Sequence, residues 1–430
     1  MTVLFYTLGC KVNQYDTGVL QETFERAGYT LAQKEDEPDV VVVNTCTVTA
    51  ESDRKGRQAI RRFARTYPNA ILAVTGCMPQ AVPQKADALS GAHIVVGNAL
   101  NNRLPALVEE YRKKGRPIVR VESHAKELYP HDRCSRSFEG RERAFVKIED
   151  GCNRFCSYCL IPYARGRVRS KPLAILKDEL AVLAQNGYRE VVLAGINLTA
   201  YGQEWNLNLC DAVELAQQTN GIDRIRLGSM EPDQFTDVMI ERLSACDKLC
   251  PQFHLSLQSG SDTVLARMNR HYDTAFYADL VKRLQRAFLE CAVTTDVMCG
   301  FPGETSQEFE QTLRFIEQIG FAKVHTFVYS PREGTPAANM EQVPPQIKKE
   351  RAEQLNRSAK QTADRFMAMQ IGKVTQVLLE RYRGNGVYEG HTSTYLPVRV
   401  TSERNLVGEI YDVRITKIQG EECFGEIVEG

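Results

Sequence analysis

Three cysteines lie close together near the middle of the chain. Cys152, Cys156 and Cys159 are spaced as Cys-x3-Cys-x2-Cys, and the next cysteine is Cys210. Thiolates are soft ligands that favour iron–sulfur clusters, zinc or copper(I) over magnesium or calcium. Structural zinc usually takes four ligands in two separated pairs, whereas three close thiolates match three irons of a 4Fe-4S cube. The spacing therefore predicts a catalytic cluster with one open iron, with a zinc site or plain buried thiols as alternatives.

A second set of three cysteines is spread along the N-terminal third. Cys10, Cys46 and Cys77 each follow a short apolar run of strand length, at residues 3–8, 40–43 and 71–75. Parallel strands bring their carboxyl ends to one edge of a sheet, where open α/β sheets bind ligands. We therefore expect these thiols to converge on one metal ion or cluster. The alternative is three unrelated buried cysteines, since free cysteine is often buried.

The elements that must position these cysteines follow a strand–helix alternation. A further strand is expected at 93–96, and helices near 15–27, 50–67 and 80–89. This pattern predicts an α/β fold that begins with a doubly wound parallel sheet. We assign it to a first domain of residues 1–115.

The same alternation returns in the middle of the chain. Six strands are expected at 144–149, 190–194, 224–228, 253–258, 294–298 and 324–329, with helices between them. They predict a partial (β/α)6 barrel in a domain of residues 138–345, with its site at the carboxyl ends of the strands. Residues 346–370 read as a connecting helix. Residues 371–430, with β-like runs and glycine turns, predict a small β-barrel.

Small and polar residues lie at or just after the ends of the expected barrel strands, except Asp296, which lies within the fifth strand. Small residues let a ligand approach the backbone, and polar groups fix its orientation. Individually these residues are also ordinary turn residues, but together they favour a polar small-molecule site. The candidates are Gly195, Asn197, Ser229, Glu231, Gln258 and Asp296.

Charge is balanced overall, with 54 basic and 54 acidic residues, but its distribution is uneven. Residues 53–65 hold six basic residues against one acid, and residues 133–171 hold ten against four. Basic stretches of this kind are either solvated faces or an RNA-binding surface. The tail, residues 372–430, has seven basic and nine acidic residues, which argues against strong RNA binding by this segment. The candidate RNA-binding residues are Arg54, Lys55, Arg57, Arg61, Arg62, Arg165, Arg167 and Arg169.

Composition places the chain in an ordinary class of globular proteins. Of its 430 residues, 43% are hydrophobic and 25% charged. The N-terminus lacks a basic signal-peptide region, and no apolar run approaches a membrane span. Thirteen cysteines without a secretory signal indicate a reducing compartment and metal ligation. We expect a cytoplasmic protein with neither a membrane nor DNA as a partner.

Several segments resemble the radical S-adenosylmethionine (SAM) methylthiotransferase family. Residues 7–16, 44–49 and 75–78 are similar to its N-terminal blocks, and residues 150–159, 255–260 and 300–304 to its radical SAM core. The tail resembles a TRAM domain, so the match spans essentially the whole chain. Gly-Cys-Lys-Val-Asn at residues 9–13 resembles the branch that acts on threonylcarbamoyladenosine in tRNA.

The resemblance implies cofactors, partners and a reaction. Two 4Fe-4S clusters are expected, on the two cysteine triplets, and SAM is expected at Tyr158 and at the polar strand ends. A methylthio group would be added to C2 of threonylcarbamoyladenosine in the anticodon arm of tRNA, with an electron donor and a sulfur donor as further partners. The alternatives are a different tRNA adenosine, a protein side chain, or a non-catalytic iron–sulfur RNA-binding protein.

Overall fold

A computed structural model describes residues 1–33, 36–89, 91–124, 134–136, 138 and 142–428, the side chains of residues 85, 87 and 88 excepted. The chain forms two compact units. The first comprises Met1–Arg136, Glu149–Lys171 and Ser330–Ala338, and the second comprises Ser137–Ile148, Pro172–Tyr329 and Asn339–Gly430. The domain boundaries expected from the sequence stay predictions. Of the basic segment 133–171, Arg133 and Arg141 lie outside the described residues.

The first unit is built on a parallel sheet, as expected. Within the described residues its strands are β1 (Thr2–Thr7), β2 (Thr30–Leu31), β3 (Val40–Thr45), β4 (Ile71–Gly76), β5 (Ile94–Val96) and β6 (Ile118–Arg120). Their spatial order is β2-β1-β3-β4-β5-β6, and every pair is parallel. The helices are α1 (Lys11–Arg26), α2 (Ala50–Thr66), α3 (Cys77–Ala81) and α4 (Leu104–Lys114). The helix expected over 80–89 is instead α3 followed by a 3-10 turn at Pro83–Ala88, because proline has no N–H to continue the ladder.

Helices cover both faces of this sheet. Val40 and Val42 of β3 pack in one core cluster with Phe24 of α1. Val41 and Val43 point the other way and pack with Ile60 of α2. Successive strand residues alternate between faces, so the unbroken valine run is what a strand buried on both faces requires. This arrangement confirms the doubly wound sheet.

Nine strands lie between residues 143 and 328. They are β7 (Arg143–Lys147), β8 (Glu149–Asp150), β9 (Arg169–Ser170), β10 (Glu190–Ala194), β11 (Arg224–Leu227), β12 (Ser229–Met230), β13 (Gln252–Leu255), β14 (Ala292–Cys299) and β15 (Lys323–Val328). The helices are α5 (Ile161–Arg165), α6 (Leu173–Gln185), α7 (Leu209–Gln217), α8 (Asp237–Ser244), α9 (Asp262–Arg267), α10 (Thr274–Ala287) and α11 (Ser306–Ile319). In the second unit, parallel sheets β11-β10-β7 and β12-β13-β14-β15 meet at Gly228 and stay open. The open barrel confirms the expected fold, while β8 and β9 form a separate antiparallel pair in the first unit.

The second unit ends in a closed barrel. After α12 (Pro345–Ala368), the strands are β16 (Val374–Gly384), β17 (Val387–Thr392), β18 (Pro397–Thr401), β19 (Ile410–Gln419) and β20 (Glu422–Ile427). They close in the order β16-β17-β18-β20-β19. A small barrel was expected from β-like runs at 374–379, 396–400 and 413–418. β17 and β20 were missed because charged residues and glycines interrupt their apolar pattern. No helix among the described residues is both long and apolar enough to cross a membrane.

A buried carboxylate organises the amino ends of three barrel strands. Glu190, fully buried at the start of β10, lies 2.9 Å from Arg224 and 2.9 Å from Arg226, while Arg143 is 4.0 Å away. Burial alone would raise the pKa of Glu190, but the guanidinium groups, led by Arg226, outweigh it and lower the pKa to about 2. The carboxylate is therefore held ionised, since an uncompensated charge in this interior would be costly.

The same guanidinium groups anchor the closed barrel within the second unit. Arg224 and Arg226 each donate a hydrogen bond of 3.0 Å to the Thr392 carbonyl. Arg226 also donates to the Ser393 carbonyl at 2.9 Å, and Arg143 pairs with Glu380 of β16 at 3.0 Å. The backbone carbonyls accept their bonds without adding charge, so the carboxylates of Glu190 and Glu380 balance the three arginines of this junction.

Glu190→Gln should destabilise the chain by about 3–5 kcal/mol, because it leaves buried guanidinium groups without their counter-charge. Since the folded pKa of about 2 lies below the ordinary 4.5, the carboxylate stabilises the fold fully above about pH 4.5, and this contribution is lost as the pH falls toward 2. Urea unfolding of the apo-protein between pH 7 and pH 3 measures both effects. The variant should show a flatter decline with acid than the parent.

The matched control is Glu214→Gln. Glu214 pairs with Arg242 at 2.8 Å, and the two side chains stay 40% and 30% exposed to solvent. Exposed pairs contribute under about 1 kcal/mol, so this variant should unfold close to the parent. Equal losses in the two variants would mean that Glu190 does not act as the central counter-charge.

Candidate metal centres

The first cysteine triplet lies along one edge of the parallel sheet. Cys10 follows β1, Cys46 follows β3, and Cys77 follows β4 as the first residue of α3. β3 pairs with both β1 and β4, so the three strand ends are neighbours. Cys46 and Cys77 are buried and Cys10 is exposed. The structure brings together the three thiols grouped from the sequence and leaves one open to the surface.

These thiols are close enough to influence one another. Burial raises the pKa of Cys46 to about 12, and Cys77 and Cys10 add to the rise. Burial also raises the pKa of Cys77, against the lowering effect of Arg165. A bound cation reverses this balance, because metal ligation favours the thiolate and releases its proton. The group is thus a poor acid when bare and well suited to a cationic centre.

Two glycines permit the close approach of the cysteine loops. Gly9 has φ +108°, and a Cβ atom there would lie 2.6 Å from the Cys46 Cβ. Gly76 has φ +106°, and its Cβ would lie 2.3 Å from the Thr45 carbonyl oxygen. Both conformations suit glycine and are strained for other residues. Close packing of the loops at this sheet edge therefore requires glycine immediately before Cys10 and before Cys77.

Buried amides lock the loops beneath the thiols. Asn13 donates to the carbonyls of Leu8 (2.9 Å) and Thr45 (2.8 Å), which joins the chain after β1 to the end of β3. Asn44 donates back to the Asn13 carbonyl at 3.0 Å. Asn98 donates to Cys77 Sγ at 3.6 Å. This network fixes where the sulfurs stand before any metal binds.

The second triplet occupies the loop between β8 and α5, in the same compact unit as the first. Cys156 is buried, and Cys152 and Cys159 are partly buried. The backbone N–H of Arg154 donates to Cys152 Sγ at 3.5 Å, and that of Ile161 to Cys159 Sγ at 3.4 Å. Hydrogen bonds to sulfur are one means by which proteins set the potential of iron–sulfur clusters.

Both donor sets fit 4Fe-4S cubes by their chemistry. Each offers three sulfurs, on three neighbouring strand ends in the first triplet and on one loop in the second. Backbone N–H groups are directed at sulfurs of both sets, and Val48 N–H lies 3.5 Å from Cys46 Sγ in the first. In the described part of the chain, no three histidine, cysteine, aspartate or glutamate side chains are close enough to hold a single metal ion. Thiolates on a cube bond to separate irons and stand farther apart than the ligands of one ion.

Arg165 corrects one expectation about RNA. The residue is 1% exposed, and its Nε donates to Cys77 Sγ at 3.2 Å. Its Nη1 lies 2.6 Å from Asp16 and 3.4 Å from Asp150. A guanidinium buried among these partners does not reach a phosphate, so the prediction that Arg165 contacts RNA is wrong. Charge counting along the sequence missed this because burial depends on partners far away in the chain.

The remaining candidates for RNA binding occupy different environments. The basic side chains of α2 are exposed. Four of them line a shallow cavity of about 620 Å³ beside Tyr6: Lys55, Arg61, Arg62 and Arg65. Arg54 is exposed but paired with Glu51 at 2.5 Å, and Arg57 is exposed. Arg167 is exposed over the Phe155 ring at 4.6 Å, whereas Arg169 is half-buried. Five of the six exposed candidates therefore lie on α2, and we call their surface the α2 face.

The candidates for SAM binding divide between the units. Tyr158 lies in the cysteine loop of the first unit. The others lie at or near the carboxyl ends of β10 to β14 in the second, as expected: Gly195, Asn197, Ser229, Glu231, Gln258 and Asp296. Gln258 has φ +69°, an unusual conformation for a non-glycine residue. The backbone N–H of Gln258 donates to the Asp296 carbonyl at 2.8 Å, which joins two of these strands.

Two basic residues at this edge were missed from the sequence. Arg270 holds Glu231 through two contacts of 2.5 and 3.3 Å, and His254 lies 3.3 Å from Asp296. Both carboxylates therefore already have a partner. Arg270 lies three residues after the end of α9, and no periodic pattern marks it. Its role becomes visible only when the strand ends are assembled.

Comparisons with known proteins agree with this geometry. Residues 2–97 match the "Uncharacterized protein family UPF0004" and residues 146–316 the "Radical SAM superfamily". The threonylcarbamoyladenosine tRNA methylthiotransferase MtaB of Bacillus subtilis (strain 168) is 39% identical, with 97% of this chain and 94% of that protein covered. The MtaB of Thermotoga maritima is 37% identical over 100% of this chain and 98% of its own length. A tRNA-2-methylthio-N(6)-dimethylallyladenosine synthase of Clostridium botulinum (strain Loch Maree / Type A3) is 34% identical, with 98% and 95% covered.

Solved structures share the fold. The radical SAM methyltransferase TsrM of Kitasatospora setae superposes with a TM-score of 0.58 at 16% identity, over 78% of this chain and 77% of that chain. The likeness to TsrM supports the architecture alone. The family matches and the full-length relatives carry the assignment: the chain belongs to the MtaB group of radical SAM methylthiotransferases.

Proposed function

We propose that this chain transfers a methylthio group to C2 of threonylcarbamoyladenosine beside the anticodon of tRNA. The observation that carries the proposal is the pair of cysteine triplets held in one compact unit. One triplet serves the radical step, and the other offers a place for sulfur. The MtaB relatives, similar over nearly the whole chain, are named for this nucleoside.

The reaction sets physical demands that the residues meet. Carbon 2 of adenine carries an unactivated hydrogen, so acid–base groups cannot remove it. The cofactors are two 4Fe-4S clusters and SAM, and reductive cleavage of SAM supplies a carbon radical able to take that hydrogen. Cys152, Cys156 and Cys159 hold the cluster for this step. Cys10, Cys46 and Cys77 would hold the second cluster, and Cys10 is the exposed member of this set.

The partners follow from the same scheme. The tRNA anticodon arm is the substrate, and the exposed basic face of α2 is proposed to hold its backbone. One SAM provides the methyl group and another the radical. An electron donor and a sulfur donor are required as well, and a cytoplasmic location, where tRNA is found, stays a prediction.

A different tRNA adenosine is the second candidate. The dimethylallyladenosine synthases favour it, at 34–35% identity over 98% of this chain. Gly-Cys-Lys-Val-Asn at residues 9–13 favours threonylcarbamoyladenosine instead. Mass spectrometry of tRNA nucleosides from cells with and without this chain separates them. Loss of the methylthio form of threonylcarbamoyladenosine supports the proposal; loss of the dimethylallyl form alone, or of neither, contradicts it.

Replacing each cysteine triplet by alanine should remove one cluster. The parent should bind about eight irons per chain after anaerobic reconstitution, as two cubes ligated by cysteine. Each triple variant should keep about half. The Cys152/Cys156/Cys159 variant should lose SAM cleavage, whereas the Cys10/Cys46/Cys77 variant should still cleave SAM and fail to methylthiolate tRNA.

The control for this experiment is Cys134→Ala with Cys291→Ala, two partly buried cysteines outside both triplets. That variant should keep full iron and activity. Full iron loading in either triple variant would show that the ligand assignment is wrong.

Neutralising the α2 face should weaken tRNA binding. Arg57→Gln with Arg61→Gln removes two exposed cations of this face. Each lost phosphate contact should lower the slope of log K against log salt by about 0.7–0.9. Filter binding of tRNA at several salt concentrations measures the slope, while SAM cleavage should stay unchanged.

Arg112→Gln with Lys113→Gln is the matched control, since it neutralises two exposed cations on α4 of the same unit. Its salt slope should equal that of the parent. If the α2 variant also keeps the parent slope, the α2 face is an ordinary solvated surface and the RNA path lies elsewhere.

A further inference from the structure

One short helix connects the two cysteine triplets. α5 begins at Ile161, whose N–H bonds to Cys159 Sγ (3.4 Å), and ends at Arg165, whose Nε bonds to Cys77 Sγ (3.2 Å). A ligand sulfur of each triplet is therefore hydrogen-bonded to an end of the same five-residue helix. Four residues of α-helix advance about 6 Å, so this link is short and stiff.

Arg165 uses each nitrogen of its guanidinium for a different partner. Nε faces Cys77, Nη1 faces the carboxylates of Asp16 and Asp150, and Nη2 makes a short hydrogen bond to Asn13. A planar group with fixed donor directions can serve all of these at once, and an ammonium group cannot. The Cys77 contact is therefore set by the whole network and does not depend on a mobile side chain.

A second connection runs between the same loops. Asn98 donates one amide to Cys77 Sγ at 3.6 Å and to the Ala164 carbonyl at 3.2 Å. It reaches the residue just before Arg165, so two buried side chains tie Cys77 to the end of α5. None of these groups is placed to touch a substrate, because all of them are buried within the unit.

We propose that Arg165 is a positioning residue of the N-terminal metal centre, which fixes the Cys77 sulfur against the radical SAM loop and eases reduction of the cluster there. The proposal rests on the cluster assignment given above. A positive charge and an N–H donor at a ligand sulfur stabilise the state with more negative charge, which is the reduced one. Loss of Arg165 should thus move the potential of this cluster to more negative values.

The test uses the full chain with Cys152, Cys156 and Cys159 replaced by alanine, so that the N-terminal cluster gives the signal. Arg165→Gln, Arg165→Lys and Asn98→Ala are introduced separately. Redox titration followed by electron paramagnetic resonance measures the midpoint potential. We expect a shift to more negative potential for Arg165→Gln, with smaller shifts of the same sign for Arg165→Lys and Asn98→Ala.

The same substitutions in the otherwise unaltered chain separate positioning from chemistry. SAM cleavage should stay within about twofold of the parent, while tRNA methylthiolation should fall about 10- to 100-fold, the usual effect of removing a group that orients a metal ligand. Arg112→Gln, an exposed arginine of the same unit, should change neither readout.

If Arg165→Gln fails to fold, Arg165→Lys and Asn98→Ala decide the matter. Unchanged potentials in both would overturn the proposal and leave Arg165 with a purely structural role. A shift in potential without any methylthiolation of threonylcarbamoyladenosine by the parent chain would uphold this inference and refute the proposed function instead.

Discussion

Parallel pairing of β1, β3 and β4 is the constraint on which the first unit depends. These strands are neighbours in the sheet, so the chain leaves all of them at the same edge. The strand order reverses between β1 and β3, which is where open α/β sheets form a crevice. Cysteines 31 to 67 residues apart in sequence thus become neighbours without long arms or flexible loops. Gly9 and Gly76 remove the side chains that would otherwise keep the loops apart.

In both units, buried arginines hold separate segments of the chain together. In the first unit, Arg165 and Arg332 are buried; Arg332 bonds to Thr47 at 2.6 Å and Asp53 at 2.7 Å beside the Cys46 loop. In the second, Arg224 and Arg226 join the barrel strands to backbone carbonyls of the tail. One guanidinium spans several acceptors on different segments, at the cost of desolvating its charge. Carboxylates such as Glu190 supply the compensation that makes such burial tolerable.

The sequence predicted the parts of the structure that depend on local pattern. The strand runs that precede the cysteines and the open barrel were expected, because short apolar runs and strand–helix alternation are local signals. The burial of Arg165 was not, since its partners Asp16 and Cys77 lie 149 and 88 residues away. Arg224 and Arg226 were likewise read as part of a strand. A sequence shows which residues are charged, but the partner of a buried charge can be identified only from the folded structure.

The first unit is made of three separate stretches of chain, so the ribosome completes its parts at different times. Cys77 precedes Arg165 by 88 residues, and at about 5–20 residues per second that interval lasts about 4–18 s. During this interval, Cys77 lacks the guanidinium of Arg165 that donates to its sulfur. The third stretch, Ser330–Ala338, comes later still. Completion of the first metal centre is therefore a late event in biosynthesis, although its ligands are among the first cysteines to be made.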